Sequence, residues 1–286
     1  MKTILILTDF SENATCAAKA GLVLSSKLKT DLLLFNTYID YATLPYESGG
    51  GWDVDDFSLR KQHSIQGLES LTEGLESIAV KLLEPAGHKP AVQFQASNCD
   101  LGMKVAEIIK AQNIELVVMG ARSIHPDDPL PGADTSAVIK NTSRPVLVIP
   151  TNTDLYQIRK IIFATNFDES DLKAIRYLMK LGNLMNYQLH IIHVSKPGED
   201  KMTAKEQAFK EQLELLNYQG LNYRKVNGKD LVARLNELTA EDGPAILAFL
   251  HQQLSFMIRL FSRSKTKAAL ARQRTALLIF PSKMSN

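Results

Sequence analysis

Ile4-Leu5-Ile6-Leu7-Thr8-Asp9-Phe10-Ser11-Glu12 opens the chain, and Ile161-Ile162-Phe163-Ala164-Thr165-Asn166-Phe167-Asp168-Glu169 returns 157 residues later in the same register. Each stretch is a short apolar run, a Thr-Asp/Asn-Phe turn and the start of a helical pattern. An internal repeat sets the domain count and the fold, so it is read before local propensity. It also provides an internal control, because what one copy keeps and the other has changed bears on function.

Outward from the first copy, strands and helices alternate. Residues 3–8 form an apolar run, and 12–28 place Ala17, Ala20, Gly21, Leu24 and Leu28 on one helical face. Leu32–Asn36 is again continuously apolar, as suits a strand covered on both sheet faces. Tyr38 to Asp56, with Gly49-Gly50-Gly51 and the acids Asp53, Asp55 and Asp56, predicts a mobile surface loop. A helix follows over 57–83, then a strand in which Val92 and Phe94 alternate with polar residues. Asp100 caps a helix over 101–112, Glu115–Met119 is a buried strand, Thr135–Asn141 a short helix, and Pro145–Ile149 the fifth strand.

The second copy predicts strand 160–164, helix 170–184, strand 188–194, helix 202–217, strand 222–226 and a helix opened by Asp230-Leu231. Ala245–Phe249 and Thr275–Pro281 then match Leu116–Gly120 and Arg144–Pro150. Right-handed βαβ crossovers make each copy an open, doubly wound parallel α/β sheet. The expectation is two tandem five-stranded domains, residues 1–150 and 158–286, joined by a linker at 151–157 and related by a pseudo-two-fold axis. Such sheets bind ligands beyond the carboxyl ends of the strands, where strand order reverses. That rule gathers Thr8, Asp9 and Phe10, then Asn36 and Thr37, then Gly120, Ala121 and Arg122, around one crevice. In the second copy it gathers Thr165-Asn166, His193-Val194 and Phe249-Leu250-His251.

With 45% hydrophobic and 22% charged residues the chain reads as globular rather than disordered. No apolar stretch approaches the roughly 20 residues of a membrane span. The opening apolar run is too short for a signal peptide and continues into Thr-Asp as a strand. Cys16 and Cys99 have no metal spacing and fit a reducing cytoplasm. Residues 1–150 carry 13 Lys and Arg against 18 Asp and Glu, a net of −5, whereas 151–286 carry 20 against 13, a net of +7. Segment 259–274 holds Arg259, Arg263, Lys265, Lys267, Arg272 and Arg274 with no acid. That is read first as a solvated helix face, so nucleic acid is not the expected partner.

Val117-Val118-Met119-Gly120-Ala121-Arg122-Ser123, then Pro131-Gly132-Ala133-Asp134-Thr135-Ser136, then Arg144-Pro-Val-Leu-Val-Ile-Pro150, is the segment most pointed toward chemistry. Together with the opening Ile-Leu-Ile-Leu-Thr-Asp-Phe-Ser, it resembles the universal stress protein family, over essentially the whole chain and as a tandem pair. Members of that family that hold ATP carry Gly-x2-Gly-x9-Gly-Ser/Thr after the fourth strand. Glycine there lets backbone approach phosphate, and amides at a helix N-terminus face the anion.

Here Gly120 stands at the first glycine, Ser123 at the second, Gly132 falls one residue early, and Ala133 replaces the hydroxyl residue. Thr135 and Ser136 supply hydroxyls one turn further in, and Arg122 supplies charge. Asp127 and Asp128 would repel a triphosphate unless Mg²⁺ sits between them. The resemblance implies that Asp9 lies near adenine and ribose and that Asn36 and Thr37 meet adenine through backbone. Asp9 and Ser11 are also rival caps for the following helix.

The second copy has lost the phosphate machinery: Asn166 replaces Asp9, Phe249 is expected in place of Gly120, and 251–264 holds no glycine. That segment is instead apolar at Leu254, Phe256, Met257, Ile258, Leu260 and Phe261, either packed on its own sheet or docking a protein partner or a second copy of the chain. Val146–Ile149 and Leu277–Phe280 are expected to pair within the chain, since relatives pair through their fifth strands. His63, His88, His125, His190, His193 and His251 are scattered, and no metal or catalytic constellation emerges.

Three functions stand open. One is a non-catalytic, cytoplasmic stress-response protein that binds ATP or another adenine nucleotide, with Mg²⁺, in the first copy. Another is an interaction protein without nucleotide. The third is a slow metal-dependent ATPase using Asp127 or Asp128.

Overall fold

The computed structural model describes residues 1–38, 54–82, 87–121, 133–151, 153–199, 201–228, 231–241, 243–252, 275–281 and 284. Arg122, Ser123, Gly132, Asp127, Asp128, residues 39–53 of the expected loop and the apolar and basic segments within 253–274 lie outside them, while Asp55 and Asp56, expected in that loop, belong to a helix that starts at Val54.

The first half runs β1 (Thr3–Leu7), α1 (Glu12–Leu28), β2 (Asp31–Thr37), α2 (Val54–Leu82), β3 (Val92–Ser97), α3 (Leu101–Ala111), β4 (Ile114–Gly120), α4 (Ala133–Asn141) and β5 (Val146–Ile149). The second runs β6 (Lys160–Ala164), α5 (Glu169–Met185), β7 (Gln188–Ser195), α6 (Ala204–Leu215), β8 (Leu221–Asn227), α7 (Leu231–Ala240), β9 (Ala245–Leu250) and β10 (Ala276–Phe280). Helix starts follow the polar residues that precede them. The Ser11 hydroxyl accepts from Ala14 N, the Asp100 carboxylate from Met103 N and the Asp168 carboxylate from Ser170 N. Left-handed Lys29 and Asn186 close α1 and α5.

The strands form one sheet in the order β3-β2-β1-β4-β5-β10-β9-β6-β7-β8. Within each half every pairing is parallel, and the halves meet at the antiparallel pair β5–β10, with Leu147 opposite Leu278 and Val146 opposite Ile279. Two expected five-stranded sheets therefore run into one of ten strands. The seam also removes the edge that each half would present at its last strand.

Because helices cover both faces, the inner strands are apolar on both sides. One face packs α1, α2, α5 and α6 through residues such as Ala17, Leu24, Leu68, Ile175 and Phe209. The other packs α3, α4 and α7 through Val105, Ile108, Val138, Ile139 and Leu235. Burying each large aliphatic side chain contributes about 1.5–3 kcal/mol. β3 is the outer strand of its half, which leaves Phe94 40% exposed despite its alternating pattern.

Glu115 on β4 ties the halves together on the α5 side. Its buried carboxylate accepts from Lys2 and, at 3.2 Å, from Lys180 on α5.

Candidate functional site

In each half the strand order reverses between the first and fourth strands, so the crevice opens at the carboxyl ends of β1 and β4, and of β6 and β9. The Thr-x-Phe turn at its lip has the same construction twice. Thr8 Oγ1 accepts from Phe10 N at 3.0 Å, and Thr165 Oγ1 accepts from Phe167 N at 3.0 Å. The two phenylalanines take φ values of 63° and 64°, in the left-handed region that side chains other than glycine seldom occupy. The threonine hydroxyl holds the turn, which accounts for its repetition without any ligand. Phe10 lays its ring where Gly67 leaves room, since a Cβ on Gly67 would stand 2.7 Å from that ring.

Asp9 is exposed, and its Oδ1 accepts from Ser11 N at 3.1 Å while Ser11 itself caps α1. The rivals thus divide the work. Asn36, expected to act through backbone, has its side chain committed to the fold: Nδ2 donates to Thr8 O at 2.7 Å, and Oδ1 accepts from Ser64 on α2 at 2.6 Å. Thr37 is half-buried at the end of β2, and Met119 is buried in the core facing α3 and α4, so Met119 meets the crevice through backbone alone.

Gly120 ends β4 against the first turn of α1. A Cβ there would lie 2.6 Å from Asn13 C and 2.7 Å from Ala14 N, backbone atoms that cannot swing aside. The missing side chain serves this helix–strand contact. Asn13 fastens it, donating from Nδ2 to Ala121 O.

The pairing register corrects one equivalence. Ile6 faces Val118 as Phe163 faces Ala248, and Ile149 faces Gly120 as Phe280 faces Leu250. Leu250, not Phe249, stands in the place of Gly120, and Phe249 stands in that of Met119, wholly buried. The sequence match failed by one residue because both strands are uniformly apolar at this point. With Leu250 there, a cavity of about 250 Å³ separates the start of α5 from the ends of β9 and β10, lined by Ser170, Lys173, Ala174, Leu250, Phe280, Pro281 and Met284.

Among the described residues, the first turns of α1, α4 and α5 each hold a buried polar atom without a partner, Asp171 Oδ1 being that of α5. Asn13 Oδ1 is that of α1. Thr135 Oγ1 is that of α4, on a side chain with no exposed surface. Buried polar groups are nearly always hydrogen-bonded, so each is an open valence. Ser136 beside Thr135 is partly exposed. Among the described residues no group of three or more His, Cys, Asp or Glu side chains is arranged to hold a metal.

In the second half the side chains bond one another across the equivalent region. Phe167 packs on His193 at 4.3 Å between ring centres and on Phe209 at 5.4 Å. Tyr223 donates to Glu206 Oε1 at 2.7 Å and Lys225 to Glu206 Oε2 at 3.0 Å, tying α6 to β8. Burial opposes ionisation of Glu206, but the hydrogen bonds from Tyr223 and Lys225 outweigh it and hold the carboxyl below its ordinary value. By register, Tyr223 and Lys225 replace Phe94 and Ala96 of the first half. Asp171, which replaces Ala14, is fully buried; its Oδ2 accepts from Thr165 Oγ1 at 2.6 Å and from Asp168 N at 3.1 Å. Burial pushes this carboxyl up to about 6. Asn13, Asp171 and Glu206 escaped the sequence reading because each acts through a partner elsewhere in the chain or through burial, whereas His193 stands at the end of β7, where the sequence placed it.

Fold and site define a doubly wound α/β protein built twice, with a topological switch point in each half. The pattern of the Universal stress protein family matches residues 1–150. The chain belongs to that family. No curated sequence relative matches it. Among solved structures, a universal stress protein from Archaeoglobus fulgidus DSM 4304 is similar at TM-score 0.64 and 18% identity, covering 98% of this chain and 96% of that one. A protein of Pseudomonas aeruginosa UCBPP-PA14 described under the same family is similar at TM-score 0.57 and 13% identity, over 98% and 93% of the two chains. At these identities the likeness concerns the fold. Among the described residues no helix is long and apolar enough to cross a membrane.

Proposed function

We propose that the first half binds an adenine nucleotide at the carboxyl ends of β1 and β4, and that the second half serves as its structural and interaction partner, without catalysis, in the cytoplasm. The observation that carries this reading is Thr135 Oγ1, a buried hydroxyl without a partner in the first turn of α4, together with Asn13 Oδ1, also buried without a partner, in the first turn of α1 against the end of β4. A threonine hydroxyl in the first turn of a helix suits a phosphate oxygen, beside amides and a dipole that favour negative charge. Adenine and ribose would lie against Asp9, Phe10 and the backbone of Asn36 and Thr37. Met119, Gly120, Arg122, Ser123, Gly132, Thr135 and Ser136 belong to the phosphate side. Bound Mg²⁺ would neutralise phosphate charge. The second half supports the asymmetry, since its own aromatic and charged side chains bond one another where the first half has Phe94, Ala96 and Asn36.

Calorimetric titration of the full chain with MgATP and with adenosine tests the reading. Saturable binding at one site per chain is expected, weakened by Thr135→Val. Absence of binding to either compound, together with no nucleotide released on denaturing the purified protein, overturns it in favour of an interaction protein.

A further inference from the structure

The ten-stranded sheet ends in two outer strands, β3 and β8, and the chain treats them differently. In a parallel ladder alternate residues bond the neighbouring strand, and those between them turn their backbone N–H and C=O groups the other way. Leu32 N donates to Ala91 O and Tyr38 N to Ser97 O, so Ala91, Gln93, Gln95 and Ser97 serve β2. Val92, Phe94 and Ala96 are left facing outward, and among the described residues no backbone group bonds them from that side.

An outer strand is a template for another strand, and proteins guard it with charge, proline or a covering segment. β8 is guarded. It carries Arg224 and Lys225, and the Lys225 ammonium reaches back to Lys201 O at 3.1 Å and to Glu206 Oε2 at 3.0 Å. β3, Val92-Gln93-Phe94-Gln95-Ala96-Ser97, holds no charged residue and no proline. Val92 and Ala96 pack against the core on the α2 side, while Phe94 between them stays exposed.

We propose that β3 is an interface for a second copy of this chain, pairing antiparallel with its own counterpart about a two-fold axis through Phe94. In that register Phe94 meets the partner's Phe94, Val92 meets the partner's Ala96, and Gln93 meets the partner's Gln95. Each outward-facing residue then exchanges both backbone bonds with its opposite, and no other register uses all of them. The strand is complementary to itself, with aromatic opposite aromatic, amide opposite amide and no charge to repel. A second copy therefore matches every position, which a foreign extended segment does only by coincidence. The chain already joins its two halves by antiparallel pairing of their last strands, β5 and β10. The same pairing at β8 would bring Arg224 and Lys225 against their own copies, so association closes at the dimer.

Sedimentation velocity of the full chain over a concentration series, with amide hydrogen exchange read by NMR, tests the proposal. A monomer–dimer equilibrium is expected. The amides of Val92, Phe94 and Ala96 should become protected as dimer forms, while those of Gln93, Gln95 and Ser97 are protected throughout. Two double variants read the register without touching apolar packing. Gln93→Glu with Gln95→Glu sets like charges opposite each other across the axis and should weaken dimerisation about tenfold. Gln93→Glu with Gln95→Lys sets opposite charges there and should stay within about threefold of wild type. Melting temperatures show whether both variants fold, and the wild-type exchange pattern decides alone if one does not.

A chain still monomeric at about 1 mM overturns the proposal. A dimer equally tight in both double variants, or one without protection at Val92, Phe94 and Ala96, overturns it by placing the contact elsewhere. Assemblies that grow beyond the dimer overturn the two-fold pairing. Protection of these amides only on adding an unrelated extended peptide, in a chain that stays monomeric, overturns it in favour of a foreign strand.

Discussion

Asn36 and His193 hold equivalent places in the two halves and do the same work with different chemistry. Asn36 Nδ2 donates to the carbonyl of Thr8 at 2.7 Å, and His193 Nδ1 lies 3.0 Å from the carbonyl of Thr165, as an Nδ1–H tautomer donating to it. Each pins the end of the first strand of its half from the strand beside it. A buried carbonyl left without a donor costs about 1–3 kcal/mol. His193→Asn should therefore retain most of the stability of the second half, whereas His193→Leu should lose about that amount; urea denaturation separates the two. Equal losses would mean that the ring stacked on Phe167, and not the hydrogen bond, is what His193 contributes.

Asp171 makes stability depend on pH. Burial raises its carboxyl from 3.8 to about 6 in the folded chain. The folded state therefore keeps a proton that the unfolded state releases, and the resulting stabilisation is complete below pH ~4 and lost as pH rises through about 6. In Asp171→Asn that slope should vanish. The stability difference between wild type and variant should drift by on the order of 2–3 kcal/mol between pH 4 and 7. Denaturant titrations at several pH values measure it, and a constant difference would show that Asp171 does not titrate in this window.

Glu115 and Lys180 should contribute unequally although they form one ion pair across the halves. Burial alone would raise the Glu115 carboxyl, but hydrogen bonds from Lys2 and Lys180 overcome it and hold the group below its ordinary value. A depressed carboxyl adds stability above its unfolded pKa and loses it as pH falls toward the folded one. Lys180 is half-exposed, so Lys180→Ala should cost less than ~1 kcal/mol. Glu115→Ala, which also strands Lys2, should cost about 1–3 kcal/mol. Thermal denaturation of the two variants and their double mutant gives the coupling, and a larger loss from Lys180→Ala would contradict this order.

Gly120→Ala should destabilise the first half by ~2 kcal/mol or more, because the new Cβ meets backbone rather than a movable side chain. Leu250→Ala at the equivalent place acts in the opposite sense, enlarging a cavity that already exists, and should cost about 2–5 kcal/mol. Hydrogen exchange should place the first effect at the start of α1 and the second at the start of α5. Gly120 substitutions are accordingly poor probes of ligand binding, since they disturb the helix contact first.

Much of the fold is legible without coordinates. Apolar runs such as Ile4–Leu7 and Leu32–Phe35 have the length and continuity of strands covered on both faces. Ser11, Asp100 and Asp168 mark helix starts through their short polar side chains. The doubling at 157 residues announces the two halves, and Val146–Ile149 and Leu277–Phe280 are recognisable as their last strands. These signals are local, and a linear chain carries them whole.

The candidate site was legible only in outline. Thr8, Asp9, Gly120 and Thr135 come from motif positions, but the roles of Thr8 and Gly120 in the fold depend on neighbours distant in sequence. The Phe249/Leu250 equivalence turned on strand register. A shift of one residue reverses which face a side chain joins, and a uniformly apolar strand carries no mark of it. Burial likewise decides that Asp171 keeps its proton to about pH 6 and that Asn13 Oδ1 and Thr135 Oγ1 lack partners. The sequence by itself determined the elements, their order and the divergence of the two halves, because periodicity and capping act over a few residues. Only the tertiary structure decided register, the Asn13–Ala121 hydrogen bond and the side-chain network of the second half, because desolvation and hydrogen bonding depend on which atoms the folded chain brings within about 3 Å.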